Sequence, residues 1–132
     1  MSPKKLSART GDTSQARSRR RIAAKHLEVA DLIASEDGTA INVCVGLAVL
    51  AGIAAGDAVC LAATGERYAG VDHAAAAELL RRVDARLGAR LSTLVGLKPG
   101  SHYGHALLDA KDRAATLRAA HTLVDAATER TT

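Results

Sequence analysis

The sequence has no tryptophan or phenylalanine and only two tyrosines, so bulky rings contribute almost nothing to its core. A core must instead be built from alanine, leucine, valine and isoleucine, which pack best where helices approach one another closely. The 132 residues are 48% hydrophobic and 24% charged, as expected for one ordinary globular domain. The composition therefore favours a single all-α domain.

Cysteine is also scarce, since only Cys44 and Cys60 are present, both in one apolar run. If that run is helical, their separation of sixteen positions spans roughly 24 Å at about 1.5 Å per residue, which is beyond the reach of a disulfide. The sequence shows no secretory signal pattern. We therefore expect two free, buried cysteines and a cytoplasmic location.

Acidic residues are nearly absent from residues 1–25, which we name the basic segment. This segment contains eight lysines and arginines and a single acidic residue, Asp12, so its net charge is +7. The remaining chain carries ten basic and thirteen acidic residues, about −3. Attraction to nucleic-acid phosphate is therefore predicted to come mainly from the basic segment. The predicted nucleic-acid-binding residues are Lys4, Lys5, Arg9, Arg17, Arg19, Arg20 and Arg21.

The pattern of the first half predicts a flexible arm followed by two helices. Residues 1–13 lack apolar periodicity and form the predicted arm. Helix 1 is predicted to begin near Ser14 and to stop at residues 35–38, "SEDG". Helix 2 follows the predicted cap Thr39 and ends before Gly65.

The second half predicts three more helices. Asp72 is the predicted N-cap of helix 3, which Gly88 closes, and a short fourth helix stops at Pro99 and Gly100. The last helix runs from Ala106 or Asp109 to about Thr128. No strand pattern is present. The sequence therefore predicts an all-α, up-and-down four-helix bundle with one additional short helix over residues 14–128, and a C-terminal tail at 129–132.

Helix 2 is apolar on almost every side, which is typical of either a membrane span or the central helix of a bundle. Asn42 and Asp57 would be costly in lipid, and much of the helix is alanine and glycine. Gly52 and Gly56 form a GxxxG pattern that lets a neighbouring helix come close. The central helix is favoured, and no membrane association is predicted.

The stretch "KPGSHYGH", residues 98–105, concentrates side chains that could act on RNA. A histidine could move the 2′-hydroxyl proton while a cation stabilises charge on the phosphate. The candidate catalytic residues are Lys98, His102, Tyr103 and His105. A solvated turn and a metal clip that adds Asp109 are the alternatives, and no metal or cofactor is predicted.

The order of these features resembles the HEPN domain family over residues 14–128. A basic first helix is followed by "LAVLAGIAAGDAVC", by "GVDHAAAAELL" at the start of helix 3, by "LVGLKPGSHYG" and by an alanine-rich last helix. The resemblance implies a helical bundle that forms a homodimer, a nucleotidyltransferase-type antitoxin as partner, and metal-independent ribonuclease activity in active members. Their motif is an arginine followed after four to six residues by a histidine near the start of the last long helix. Here Lys98 and His105 keep that spacing with lysine in place of arginine.

Arg67 and His73 match the same spacing between helices 2 and 3, and we interpret His73, beside the Asp72 cap, as organising the turn. The resulting hypothesis is a HEPN-like protein of an RNA- or nucleotide-linked toxin–antitoxin or defence system, with a degenerate ribonuclease motif. If it is an enzyme, it is a metal-independent endoribonuclease. The alternative is a non-catalytic dimeric module that binds DNA or RNA through the basic N-terminal arm.

Overall fold

A computed structural model describes residues 6–102 and 107–132, and between residues 98 and 102 it describes the backbone alone. The predicted all-α character is confirmed, with the addition of a small two-stranded sheet. The elements in chain order are β1 (Ala8–Thr10), α1 (Thr13–Leu32), α2 (Thr39–Thr64), β2 (Glu66–Tyr68), α3 (His73–Val83), α4 (Ala85–His102) and α5 (Ala110–Arg130).

The first two helices pack against each other in antiparallel directions. Near the turn, the Cys44 thiol donates to the carbonyl of Ala30 at 3.3 Å, and at the far end Arg19 meets Asp57. Asp12 caps α1 through a capping box with Gln15. These contacts fix which side chains of α1 and α2 face each other.

The central helix is α2, which contacts each of the other four helices. It is long and apolar enough to cross a membrane, but 72% of its most apolar window is buried, as in the core helix of a soluble protein. A Cβ atom on Gly56 would lie 3.1 Å from Leu91 and 3.3 Å from Leu80. The GxxxG pattern therefore serves close packing of α3 and α4 on α2, as predicted.

Both cysteines lie buried on α2 as free thiols, which confirms the prediction. Burial raises the pKa of the Cys44 thiol, and burial together with the nearby Asp57 charge raises the pKa of Cys60 to about 12. Both side chains therefore act as small apolar residues of the core.

Asp84 divides the predicted third helix into two elements, so the predicted end at Gly88 is wrong. The Asp84 carboxylate accepts the N–H groups of Arg86 at 3.0 Å and Leu87 at 3.1 Å, so α4 starts at Ala85, before Gly88. Among the described residues the shortest helix is therefore α3, with 11 residues, whereas α4, the predicted short helix, has 18.

The predicted stop of the fourth helix at Pro99 and Gly100 is also wrong, because α4 continues to His102. A proline removes one backbone donor and disfavours helix at the preceding residue, but it does not forbid helix there. Residues 98–102 are therefore helical where a loop was predicted. At the other end of the chain, α5 follows the Asp109 capping box and extends two residues past the predicted Thr128.

The Asp84→Ala substitution is expected to lower the free energy of unfolding by about 1–2 kcal/mol, because it removes the cap of α4 and the ion pair with Arg130. The N–H of Leu87, followed by Arg130, lowers the pKa of Asp84 below 3.8. This contribution is therefore present above pH 3.8 and is lost as the pH falls through the lowered folded-state pKa. Urea unfolding at pH 7 and near pH 2 measures it.

Asp125→Ala on α5 is the matched control for Asp84→Ala, because Asp125 is exposed and caps no helix. If the two variants unfold at the same urea concentration at pH 7, the Asp84 cap contributes nothing to stability.

A short antiparallel ladder joins the N-terminal region to the segment after α2. Arg9 pairs with Arg67, and the N–H of Gly11 donates to the carbonyl of Gly65 at 2.8 Å. The structure thus differs from the predicted flexible arm in that Ala8–Thr10 form β1. The three residues show no alternation of apolar and polar side chains, so no local signal indicated a strand.

Candidate functional site

The candidate catalytic residues fall at the edge of the described structure. Tyr103 and His105 lie outside the described residues, and Lys98 and His102 lie in the part of α4 where the backbone alone is described. Their role in cleavage therefore stays a prediction.

Five of the seven predicted nucleic-acid-binding residues lie within the described residues, one on β1 and four on α1. Lys4 and Lys5 lie outside the described residues, whereas Arg9 is exposed on β1. The α1 members are Arg17, Arg19, Arg20 and Arg21. Arg19 differs from the other three because its guanidinium forms an ion pair with a buried acid.

A cavity of about 180 Å³ opens beside that ion pair, and we name it the α1–α3 pocket. It lies where α1, α2, β2 and α3 meet. Its polar lining consists of Arg19, Asp57, Arg67, Tyr68 and His73, and its remaining lining consists of Ile53, Gly70 and Ala76. The fold thus gathers five chemically active side chains from four separate elements.

Asp57 lies on the α2 wall of the pocket. Its Oδ2 accepts a hydrogen bond of 3.0 Å from Nη2 of Arg19, and the two side chains are 11% and 32% exposed. Burial raises the pKa of Asp57, while the charge and hydrogen bond of Arg19 and the charge of Arg67 partly oppose that rise. The carboxylate therefore depends on these two arginines for its electrostatic stabilisation.

Arg19 is held on one side only, because its Nε is buried and has no hydrogen-bond partner among the described residues. A buried donor without a partner costs about 1–3 kcal/mol. This unfavourable free energy arises at the residue whose guanidinium donates to Asp57 and lines the pocket.

Arg67 approaches the pocket from β2, where it stands opposite Arg9 in the strand register. Like charges directly opposite each other in an antiparallel pair are destabilising. Nη1 of Arg67 donates to the carbonyl of Tyr68 at 3.1 Å, which keeps the guanidinium close to the strand. The ladder therefore places a second arginine, Arg9, opposite the arginine that lines the pocket.

Tyr68 forms the wall between Arg67 and α3. Its hydroxyl accepts the N–H of Asp72 at 3.0 Å, and Asp72 in turn caps α3 by accepting the N–H of Ala74. A Cβ atom on Gly70 would lie 2.6 Å from Cζ of Tyr68, so a larger residue at this position would displace the ring. The confirmed Asp72 cap thus also fixes the aromatic wall of the pocket.

The charges of the pocket suit an anion. The arginines Arg19 and Arg67 face the single carboxylate of Asp57, so one net positive charge remains before any contribution from His73. No group of three metal-ligating side chains was found among the described residues. The arrangement can bind an oxyanion through guanidinium donors.

Two parts of this pocket have signals in the sequence, but each signal favoured another interpretation. The Arg67 and His73 spacing was interpreted as part of a turn, and Asp57 was used only as an argument against a membrane span. The available signal was Asp57 itself, a lone acid in an otherwise apolar helix. Its partner Arg19 could not be identified without the antiparallel pairing of α1 and α2.

A second cavity, of about 190 Å³, lies between α4 and α5 and is a weaker candidate. Its acid, Asp84, already caps α4 and pairs with Arg130. Its arginines Arg86 and Arg90 are exposed, so no charged side chain is held in it by burial. We therefore regard the α1–α3 pocket as the candidate functional site.

The comparisons with known proteins assign no family to this site, because no family model and no curated protein matches the chain.

Proposed function

We propose that the protein is a HEPN-like four-helix-bundle protein that binds RNA within a cytoplasmic toxin–antitoxin or defence system. The observation that carries the proposal is the pairing of Arg9 with Arg67, which joins the basic segment to the edge of the α1–α3 pocket. Arg9 of the basic segment thereby lies opposite Arg67, an arginine of the pocket lining.

The electrostatic repulsion between Arg9 and Arg67 supports a phosphate ligand at this position. Two arginines in register repel each other, although Arg67 also stabilises the charge of the buried Asp57 carboxylate. A phosphate group between them would convert the repulsion into two charge-assisted contacts. The exposed arginines of α1, Arg17 and Arg21, extend the same positive charge along the helix.

The resemblance to the HEPN family also implies a partner, and we propose a homodimer, with a nucleotidyltransferase-type antitoxin as a further partner. Large apolar side chains are exposed on α1 and α2: Ile22 is 43%, Val29 is 37% and Val43 is 56% exposed. Covering such side chains is a common role of a subunit interface. Their exposure supports the dimer without identifying its geometry.

The ribonuclease activity is a separate hypothesis, because the RNA-binding proposal does not depend on the candidate catalytic residues. Lysine at position 98 offers a point charge where the family motif has the planar fork of arginine. The proposal therefore holds for a protein that binds RNA without cleaving it.

RNA binding is expected to weaken when three arginines of the basic segment are neutralised together. The variant changes Arg9, Arg20 and Arg21 to glutamine. If each arginine neutralises one phosphate, the slope of log K against log salt becomes less steep by about 2, because each contact to a single strand contributes roughly 0.7. Fluorescence anisotropy with labelled single-stranded RNA over a series of salt concentrations measures the slope, and DNA of the same sequence tests the preference for RNA.

The matched control removes the same charge from α4 and α5. It changes Arg86, Arg90 and Arg118 to glutamine, and all three are exposed. An equal change of slope in this control would show that overall charge, and not the basic segment, drives binding. Absence of RNA binding by the unaltered protein at low salt would refute the proposed function.

A further inference from the structure

We propose that the α1–α3 pocket binds a phosphate monoester, the terminal phosphate of an RNA chain or of a nucleotide. The inference deepens the proposed function and rests on it for the RNA source of that phosphate. It assigns a ligand to Arg19, Arg67, Tyr68 and His73, whereas the general RNA contact needs only exposed charge.

Arg67 has N–H donors that can bind a phosphate. Arginine has five N–H donors in a planar fork, and the hydrogen bond from Arg67 to Tyr68 uses one of them. Among the described residues, no further hydrogen bond from the Arg67 side chain is found. A phosphate monoester has three terminal oxygens that accept such donors and carries about −1.5 to −2 charge at neutral pH.

The negative charge of Asp57, which would repel an anion, is compensated by its ion pair with Arg19. Its carboxylate is 11% exposed and receives the Nη2 donor of Arg19, so its charge is directed into that ion pair. Arg67 stands as the additional cation of the pocket. The pocket therefore keeps a positive charge that the internal ion pair does not consume.

The α1–α3 pocket is small, about 180 Å³, and partly open to solvent. Side chains from α1, α2, β2 and α3 line it, and Ile53 and Ala76 form an apolar part of that lining. A terminal phosphate brings one nucleotide to this space, whereas an internal phosphodiester needs room for a nucleotide on both sides. The small volume thus favours a chain end over the middle of a strand.

The aromatic ring of Tyr68 lines the pocket beside the cationic donors. The chain contains two tyrosines, and Tyr68 is the one that lies within the described residues. It lines the same pocket as Arg67 and His73. An aromatic face beside cationic donors is the usual combination for holding a base next to its phosphate.

The test compares RNA ligands of one sequence that carry a 5′-phosphate, a 3′-phosphate or hydroxyls at both ends. We expect the unaltered protein to bind one of the phosphorylated forms at least tenfold more tightly than the hydroxyl form. Arg67→Gln should remove this preference, and Arg67→Lys should restore part of it, because lysine keeps the charge but loses the fork. Thermal unfolding of each variant confirms that it is folded.

Arg118→Gln is the matched control, because it removes one arginine charge from the exposed surface of α5 outside the pocket. It should keep the full preference for the phosphorylated end. An equal loss of preference in Arg118→Gln and Arg67→Gln would overturn the assignment of the phosphate to this pocket.

The failures of the two proposals are distinguishable. If the protein binds all RNA ends equally, the pocket assignment is overturned while RNA binding stands. If the protein binds no RNA, the proposed function fails, and isothermal titration with AMP and with adenosine decides the pocket alone. Binding of AMP but not adenosine, lost in Arg67→Gln, would support a nucleotide as the source of the phosphate; no binding of either would overturn the inference.

Discussion

Replacing Gly88 by alanine is expected to lower the free energy of unfolding by about 2–3 kcal/mol, although alanine is the better helix former. A Cβ atom at this position would lie 2.7 Å from both the N and Cα atoms of Arg81. Backbone atoms of α3 cannot rotate away as the end of a side chain can, so the α3–α4 junction must shift. Urea unfolding followed by circular dichroism measures the loss.

Gly96→Ala provides the control within the same helix. No atom lies within 4 Å of the Cβ that alanine would add there, and the residue is exposed. Helix propensity alone should then act, raising the free energy of unfolding by about 0.5–1 kcal/mol. Changes of the same sign in both variants would show that the close approach at Gly88 has no energetic weight.

The second large effect is expected at the ion pair of the α1–α3 pocket. Arg19→Leu should lower the free energy of unfolding by about 2–3 kcal/mol at pH 7, because it leaves the buried carboxylate of Asp57 without its hydrogen-bond donor. The figure lies at or below the lower end of the range for broken buried pairs, since the Arg19 side chain is 32% exposed to water. Chemical unfolding against Arg21→Leu, which removes an exposed arginine from the same helix, measures the specific part.

The loss in Arg19→Leu should also depend on pH with a defined sign. Burial raises the pKa of Asp57 above 3.8, and removing Arg19 removes two of the effects that oppose this rise. A carboxyl with a raised folded-state pKa stabilises the fold fully below pH 3.8, and this contribution is lost as the pH rises through the folded-state pKa. The deficit of Arg19→Leu should therefore shrink as the pH is lowered.

Adding Asp57→Asn to Arg19→Leu tests the same cause by another route. The amide carries no charge, so the double variant should be more stable than Arg19→Leu at pH 7, and its difference from the Asp57→Asn single variant should not vary with pH. A deficit of equal size at every pH in Arg19→Leu would show that lost packing, and not an unpaired charge, is responsible.

Local signals predicted the elements whose ends depend on the neighbouring residues alone. The end of α2 was correct because Gly65 adopts the left-handed conformation that glycine favours at a helix C-terminus. The start of α3 was correct because Asp72 supplies a side-chain acceptor. The prediction that Gly88 ends a helix was wrong because this position is limited to a small residue by its contact with Arg81 on another helix. No local sequence pattern contains that contact.

The candidate site was harder to predict for the same reason. Arg67 and His73 are close in sequence and were recognised as a pair, but their meaning depends on Arg19 and Asp57. Those two meet only because α1 and α2 run antiparallel. The pairing of Arg9 with Arg67 had no signal at all, since β1 is three residues long and its residues are all exposed.

The short ladder between β1 and β2 has a consequence for the order in which the protein opens. Its partners are far apart in sequence and all of β1 is exposed, so the ladder belongs to the parts of a fold that exchange their amide hydrogens first. β1 can thus detach from β2 while the helices stay folded. A ligand that bridges Arg9 and Arg67 binds only the attached form, so it slows this local opening in proportion to its occupancy. Ligand binding and the anchoring of the N-terminal strand are therefore one coupled equilibrium.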